Sequence, residues 1–394
     1  MLFVWSCEPL SFNYKNGESR FFRQAPRALS HSRDSSAVSV GDAYYYTAVS
    51  FPTDYDWRRD TSFGSVQASI NLYRNDSLLM QIPTGTLASP DADMHHFVKG
   101  HLYTQLRSDG RTILARDGEP VLELDHEAIL AGILPFGGKL YTLWRHRGGE
   151  GFSLMDGNST LFSRSRGQPS GSLNLSAYLP SGALYEDMGE PCFCYRNGSD
   201  WYVVRGSQEA SVRKPYRYVF DIRSIDGQVC FFYMGDSSMS SCLQYKDSVI
   251  NFSLPQFRYL KTGYIYTNEG EPFCAGAGFL GWETETPYTI VSFLSGQGMA
   301  LPGSGLSLIS SRPLALLFYS PDGTTGYYSH SSGTKYLQGN YYHLSPSEGI
   351  IVNGKLYLAL NPMEQGRKPL IWKEGEIQEL DLNGFISGIY QSSQ

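Results

Sequence analysis

Three histidines, His95, His96 and His101, follow the acidic residues Asp91 and Asp93 at short spacing. Imidazoles and carboxylates are the material of a divalent-metal site, which needs its ligands to converge on one point. A strand through this stretch works against that, because adjacent His95 and His96 then face opposite ways and at most one can join His101. No metal site and no cofactor are therefore expected. The chain contains no Gly-x-Ser-x-Gly elbow, no phosphate-binding glycine loop and no Cys-His-Asn arrangement, so no catalytic residue is assigned.

Residues able to hold a partner are easier to name. Segment 51–63 carries Tyr55, Trp57, Arg58 and Arg59, and segment 279–287 carries Trp282, Glu283 and Glu285. A third long connection is expected at 361–369. Exposed aromatic and charged side chains of these kinds stack on sugars or anchor protein partners. The competing reading is that Trp57 and Trp282 fold inward and cover the ends of strands.

The bulk composition says what must position such loops. Hydrophobic residues make up 41% of the 394 and charged residues 18%, which suits a large packed core and not a disordered chain. Twenty-eight Tyr, 21 Phe and 41 Gly are the composition of strands joined by tight turns. A net charge of −6, from 32 basic and 38 acidic side chains, argues against nucleic acid or an anionic membrane as a general partner. Six cysteines are too few to staple a fold of this size. No stretch approaches the roughly 18 apolar residues of a spanning helix, so no transmembrane segment is expected.

A repeat supplies the organisation. Gly-x-Leu-Tyr recurs at 100–103, 138–141, 182–185 and 354–357, with looser copies at 227–230 and 263–266, each reading as a turn that enters a strand. Downstream comes an apolar strand, a tight turn and another short strand, as at 9–20, 111–122 and 369–380. Asn-Gly, Asp-Gly and Glu-Gly at the turn are the chemistry of a two-residue hairpin, whose central positions need positive φ. Markers at Gly17, Asp76, Gly118, Gly157, Gly206, Asp247, Gly296, Gly333 and Gly375 recur every 37 to 59 residues, about 44 on average. In the fourth interval the marker could equally be Asn197-Gly198. Eight or nine four-stranded units are expected.

In repeat length and strand plan the chain resembles β-propeller repeats such as kelch and WD40. It lacks the paired glycines of the first and the Gly-His to Trp-Asp pattern of the second. Ser108-Asp-Gly-Arg-Thr112 and Ser320-Pro-Asp-Gly-Thr-Thr325 are similar to fragments of the Asp-box of sialidase-type propellers, without its terminal tryptophan. The resemblance implies one all-β domain over residues 1–394, a β-propeller of four-stranded blades. Its closure would come from N- and C-terminal strands, residues 384–390 joining the N-terminal hairpin in one blade.

On that plan the segments 51–63, 279–287 and 361–369 lie between second and third strands, on one face. Cys192, Cys194, Cys230 and Cys274 fall near equivalent strand positions of three successive units, with Cys242 on the strand beside Cys230. They read as small buried hydrophobes, although a Cys230 to Cys242 disulfide is conceivable in an oxidising compartment.

Val4-Trp5-Ser6-Cys7 is similar to the end of a bacterial lipoprotein signal, which would make Cys7 a lipid anchor and the location periplasmic, secreted or surface-anchored. Only six residues precede Cys7, short of a secretory signal, and Leu2 to Ser6 reads equally as a strand. The functional expectation is a non-catalytic binding scaffold that presents its loop-rich face to a protein or glycan. Two alternatives accompany it: a polysaccharide-acting enzyme, hydrolase or lyase, with its site at the channel mouth, and a structural subunit of a larger assembly.

Overall fold

The computed structural model describes residues 44–391 apart from 59–65, 87–94, 109, 147–150, 170–176, 179–182, 214–217, 235–240, 253–258, 269–270, 280–286, 294–297, 303–304, 312–313, 320–323, 330–331 and 343–348. The described residues form eight antiparallel four-stranded units in chain order. Sheet two, with strands His95–Val98, His101–Ser108, Arg111–Arg116 and Glu119–Leu124, shows the plan, each strand pairing with the next. Sheet three (Ala128–Phe136, Lys139–His146, Phe152–Asp156, Ser159–Arg164) and sheet four (Tyr185–Asp187, Glu190–Asn197, Asp200–Arg205, Gln208–Val212) repeat it. So do sheets five to eight, which begin at Val219, Tyr259, Gly305 and Gly349.

Sheet one is assembled from distant parts of the chain. Its strands Tyr44–Ser50, Gln67–Arg74 and Ser77–Thr86 receive Gly384–Gln391 as the first strand, which pairs with Tyr44–Ser50. The C-terminal strand thus finds its partner in Tyr44–Ser50, whereas the hairpin expected at 9–20 and its marker Gly17 lie outside the described residues.

Turn chemistry divides the molecule into two faces. In sheets two to five and in sheet eight, two-residue turns join first to second strands and third to fourth strands, and both of these connections fall on the same side of a four-stranded meander. In eight of the turns both central residues have positive φ, among them Asn75-Asp76, Asp117-Gly118, Asn353-Gly354 and Glu374-Gly375. That conformation matches the right-handed twist of the flanking strands, and Gly, Asn and Asp tolerate it best. Asp76, Gly118, Gly157, Gly206, Asp247 and Gly375 all sit between third and fourth strands, while Asn197 lies between second and third, which settles the phase of sheet four. Two of the Gly-x-Leu-Tyr copies play a different part. Gly263 lies inside the first strand of sheet six opposite Gly276, and Tyr185 opens the first strand of sheet four.

Core residues collect between sheets. Tyr141, Leu143, Phe152 and Leu154 of sheet three pack on Leu184, Phe193, Tyr195 and Val204 of sheet four. Tyr46, Ile386 and Ile389 of sheet one pack on Ile350, Ala359 and Ile371 of sheet eight. A fully buried Leu, Ile or Phe contributes about 1.5–3 kcal/mol, so these face-to-face interfaces carry most of the stability. Side-chain amides add a second tie. Gln105 of sheet two donates to the Ala128 carbonyl at 2.8 Å and accepts from the Leu130 N–H at 2.9 Å, both on the first strand of sheet three. Asn361 of sheet eight does the same to Ile386 of sheet one, donating at 2.9 Å and accepting at 2.8 Å. Each amide stands in for a strand partner, so no backbone group is buried unsatisfied at that point.

Candidate binding face

On the face opposite the two-residue turns, the second-to-third strand connections are tight in sheets two and four and longer in the other sheets. Two of the three segments singled out from sequence meet there. Residues 51–58 leave the second strand of sheet one, and residues 363–369 leave the second strand of sheet eight. Phe51 N–H donates to the Asn383 carbonyl at 2.8 Å, and the Asn383 amide donates to the carbonyls of Pro52 and Tyr55. Tyr55 N–H closes a turn on the Pro52 carbonyl at 3.1 Å.

Arg58 then reaches across to sheet eight. Its Nη2 donates to the Arg367 carbonyl at 2.6 Å and its Nε to the Pro362 carbonyl at 3.3 Å. From the other side, Gln365 Nε2 donates to Asp56 Oδ2 at 3.1 Å. The guanidinium also lies 4.4 Å from the centre of the Trp57 ring. These bonds form a clasp between the two connections.

Trp57 takes the inward alternative. It is 7% exposed and packs with Val49, Phe51, Ala68 and Phe385, its ring 5.3 Å from Phe385 and 5.9 Å from Tyr342. Tyr55 is half-buried against Phe51, ring centres 5.2 Å apart. Arg58 braces, its charge opposed by main-chain carbonyls. Arg59, Trp282, Glu283 and Glu285 lie outside the described residues. What faces solvent instead is Pro52, Thr53 and Asp54 on one connection and Met363 through Lys368 on the other. Arg58→Ala should therefore lower stability by only about 1–2 kcal/mol, the worth of charge-assisted bonds at a partly exposed site. Hydrogen exchange at residues 53–57 should accelerate while the cores between sheets stay protected.

The inner edge of sheet seven has an unexpected neighbour. Ala177 and Tyr178, from the connection between sheets three and four, pair in parallel with Leu306 and Ser307 of its first strand. First strands of neighbouring sheets touch one another, as in sheets five and six or seven and eight, so this edge lies on the axial side. A piece of backbone from the opposite side therefore occupies the axial region near the long-loop face.

The other sequence candidates separate. His95 and His96 stand opposite Thr104 and Tyr103, and His101 Nδ1 lies 2.6 Å from Asp117 Oδ2 beside a tight turn. Asp91 and Asp93 are outside the described residues, and among those described no three metal-competent side chains come together.

Cys192, Cys194, Cys230, Cys242 and Cys274 are buried free thiols. Cys242 is opposite Tyr233, and Arg223 is opposite Cys230, a register that holds the proposed disulfide partners apart along their strands. Burial pushes the Cys192 thiol up to about 11 and raises Cys194 and Cys230 further, which leaves them inert as nucleophiles. Sequence reasoning missed the partners in the clasp, Asp56 and Gln365. Their only signal was membership of two equivalent connections, since contact between them depends on sheets one and eight being neighbours.

No family model matches the chain, and no curated protein matches it. Among solved structures it is similar to dihydro-heme d1 dehydrogenase NirN in complex with DHE, with a TM-score of 0.51 and 11% identity over 93% of this chain and 79% of that one. The neighbours are β-propeller proteins. The fold is a β-propeller. BamB from Moraxella catarrhalis (TM-score 0.45, 11% identity, 80% of this chain and 89% of that one) and a eukaryotic initiation factor (0.46, 10%, 88% and 99%) are also similar. At these identities the likeness extends to the propeller scaffold alone, because function resides in sites grafted on a fold.

Proposed function

We propose that this propeller, a single domain, is a non-catalytic binding scaffold whose long-loop face takes a protein or glycan. The observation that carries the reading is the clasp of Asp56, Arg58, Gln365 and Asn383. It holds two solvent-facing connections from neighbouring sheets in one rigid arrangement. A surface ordered before binding loses little conformational entropy on association, which is what a recognition platform requires. Its outward side chains, Thr53, Asp54, Met363 and Arg367, together with the half-buried ring of Tyr55 between them and the core, mix hydrogen-bonding, aromatic and apolar character in the way of interface rims and sugar-stacking sites.

The test uses a photo-reactive amino acid at Thr53 or Met363, with Asn158 on the two-residue-turn face as control, alongside a glycan array probed with the full chain. Capture at positions 53 and 363 but not at 158, or glycan binding reduced at least tenfold by Tyr55→Ala, supports the reading. Capture that favours 158 overturns it in favour of a structural subunit joined through the other face. Release of new reducing ends or unsaturated sugars from a polysaccharide panel overturns it in favour of an enzyme.

A further inference from the structure

The outer strand of sheet one exposes apolar side chains. The four places in that sheet are filled by Gly384–Gln391, Tyr44–Ser50, Gln67–Arg74 and Ser77–Thr86, and among the described residues nothing pairs with the outer side of the last of these. Leu78 and Leu79 are 47% and 45% exposed there. Tyr73 stands opposite Leu78 and Leu72 opposite Met80, so a bulge leaves Leu79 without a cross-strand partner. Ser77–Thr86 carries no charged residue, whereas the outer strands of sheets two, three, four and eight include Glu119 and Glu123, Arg164, Glu209, and Glu376 and Glu379. Charges on an edge strand discourage another chain from settling there, and this edge has none.

The chain enters sheet one close by. Tyr44 N–H donates to Asn75 Oδ1 at 3.1 Å, Asn75 N–H donates to the Tyr44 carbonyl at 3.1 Å, and the Tyr44 hydroxyl donates to Asp76 Oδ1 at 2.8 Å. Asn75-Asp76 is the turn that opens Ser77–Thr86, so the chain joins the sheet two strand spacings from that strand, about 10–15 Å from Leu78. Residues 1–43 lie outside the described residues. Among them, Pro9-Leu-Ser-Phe-Asn-Tyr14 places Leu10, Phe12 and Tyr14 at alternate positions and carries no charge. The hairpin expected from that stretch has no place among the four strands of sheet one, because the C-terminus supplies the first of them.

We propose that Leu10, Phe12 and Tyr14 pack over Leu78 and Leu79, so that the chain covers the edge of its own first sheet. Tethering decides between this occupant and a second copy of the chain. Tyr14 precedes Tyr44 by 30 residues, and a chain of that length has a root-mean-square span of about 30 Å, ample for the gap. Such a tether presents the stretch at an effective concentration on the order of millimolar, far above that of a second copy in a micromolar solution. Both sides are uncharged, so no ion is desolvated on contact. The patch lies beside the two-residue turns, so the contact is separate from the clasp and does not depend on what the long-loop face binds.

The test places a photo-reactive amino acid at Leu79 of the full chain, irradiated at micromolar concentration, with one at the exposed Val249 on the outer strand of sheet five as control. Cross-links from position 79 should run to residues 9–14 of the same chain and should fall about tenfold in Phe12→Asp, which puts a charge in place of a buried ring. Hydrogen exchange at 77–81 should quicken in that variant while Tyr44–Ser50 stays protected, the sign that the fold is intact. Leu10→Asp is the second variant should Phe12→Asp fail to fold. Cross-links from 79 that join two chains overturn the proposal in favour of a dimer through this edge. So does a yield to residues 9–14 that is matched from position 249 or unchanged in the folded variant, and so does the absence of any cross-link to them.

Discussion

Gly384→Ala should destabilise the protein by more than about 3 kcal/mol and unseat the first strand of sheet one, beyond the usual 1–3 kcal/mol of an overpacked site. A β-carbon at 384 would stand 1.8 Å from the Val49 carbonyl oxygen and 3.0 Å from Ser50 Cα. Both obstacles are backbone, so no rotamer change relieves them. The strand can accept the methyl only by separating from Tyr44–Ser50, where Gly384 pairs with Ser50 and Phe385 with Val49. Separation would also expose Phe385, Ile386 and Ile389, all buried. Gly100→Ala makes the comparison. Gly100 has φ +81° with nothing within 4 Å of an added β-carbon, so only the left-handed backbone is penalised, by about 1–2 kcal/mol. Urea unfolding of the two variants should rank them in that order, and equal losses would mean that the contact with Val49 is easily relaxed.

Asn361→Leu should cost about 2–5 kcal/mol despite replacing a polar core residue with an apolar one of similar size. Asn361 is 1% exposed, and its amide satisfies both the N–H and the carbonyl of Ile386. Leucine leaves both backbone groups buried with neither water nor partner, at roughly 1–3 kcal/mol each. The affected tie joins sheets eight and one, so the loss should appear as earlier exchange in Gly384–Gln391. Gln105→Leu, which breaks the corresponding tie between sheets two and three, should give a loss of the same order. A change under about 1 kcal/mol in both would show that water replaces the amide and that these ties contribute little.

Much of the architecture was legible because it is written in local chemistry. Asp117-Gly118 and Glu374-Gly375 announce their turns through residues that tolerate positive φ, and the structure places them between third and fourth strands. Asn197-Gly198 carries the same signature on the other face, which is why local chemistry could not fix the phase of sheet four. Gly263 misleads for a related reason. Glycine in a strand satisfies the same short pattern as glycine in a turn, and only pairing with Gly276 separates them.

The candidate site was legible in location more than in residue roles. The two connections were found by their length and composition, but whether Trp57 projects or packs depends on the room left by Phe385 and Tyr342, more than 280 residues away.

The pairing of Gly384–Gln391 with Tyr44–Ser50 has a consequence for biosynthesis. During synthesis Tyr44–Ser50 leaves the ribosome more than 300 residues before Gly384–Gln391, the strand that covers it. Throughout translation, the edge of sheet one and the apolar side chains of Tyr46, Ala48 and Val49 lack the partner that later buries them. Incomplete sheets of this kind are where newly made β proteins associate with one another, and non-local pairing of this span is slow to form. Chaperone dependence should therefore concentrate on sheet one, and a chain stalled before Gly384–Gln391 should be the species most prone to aggregate.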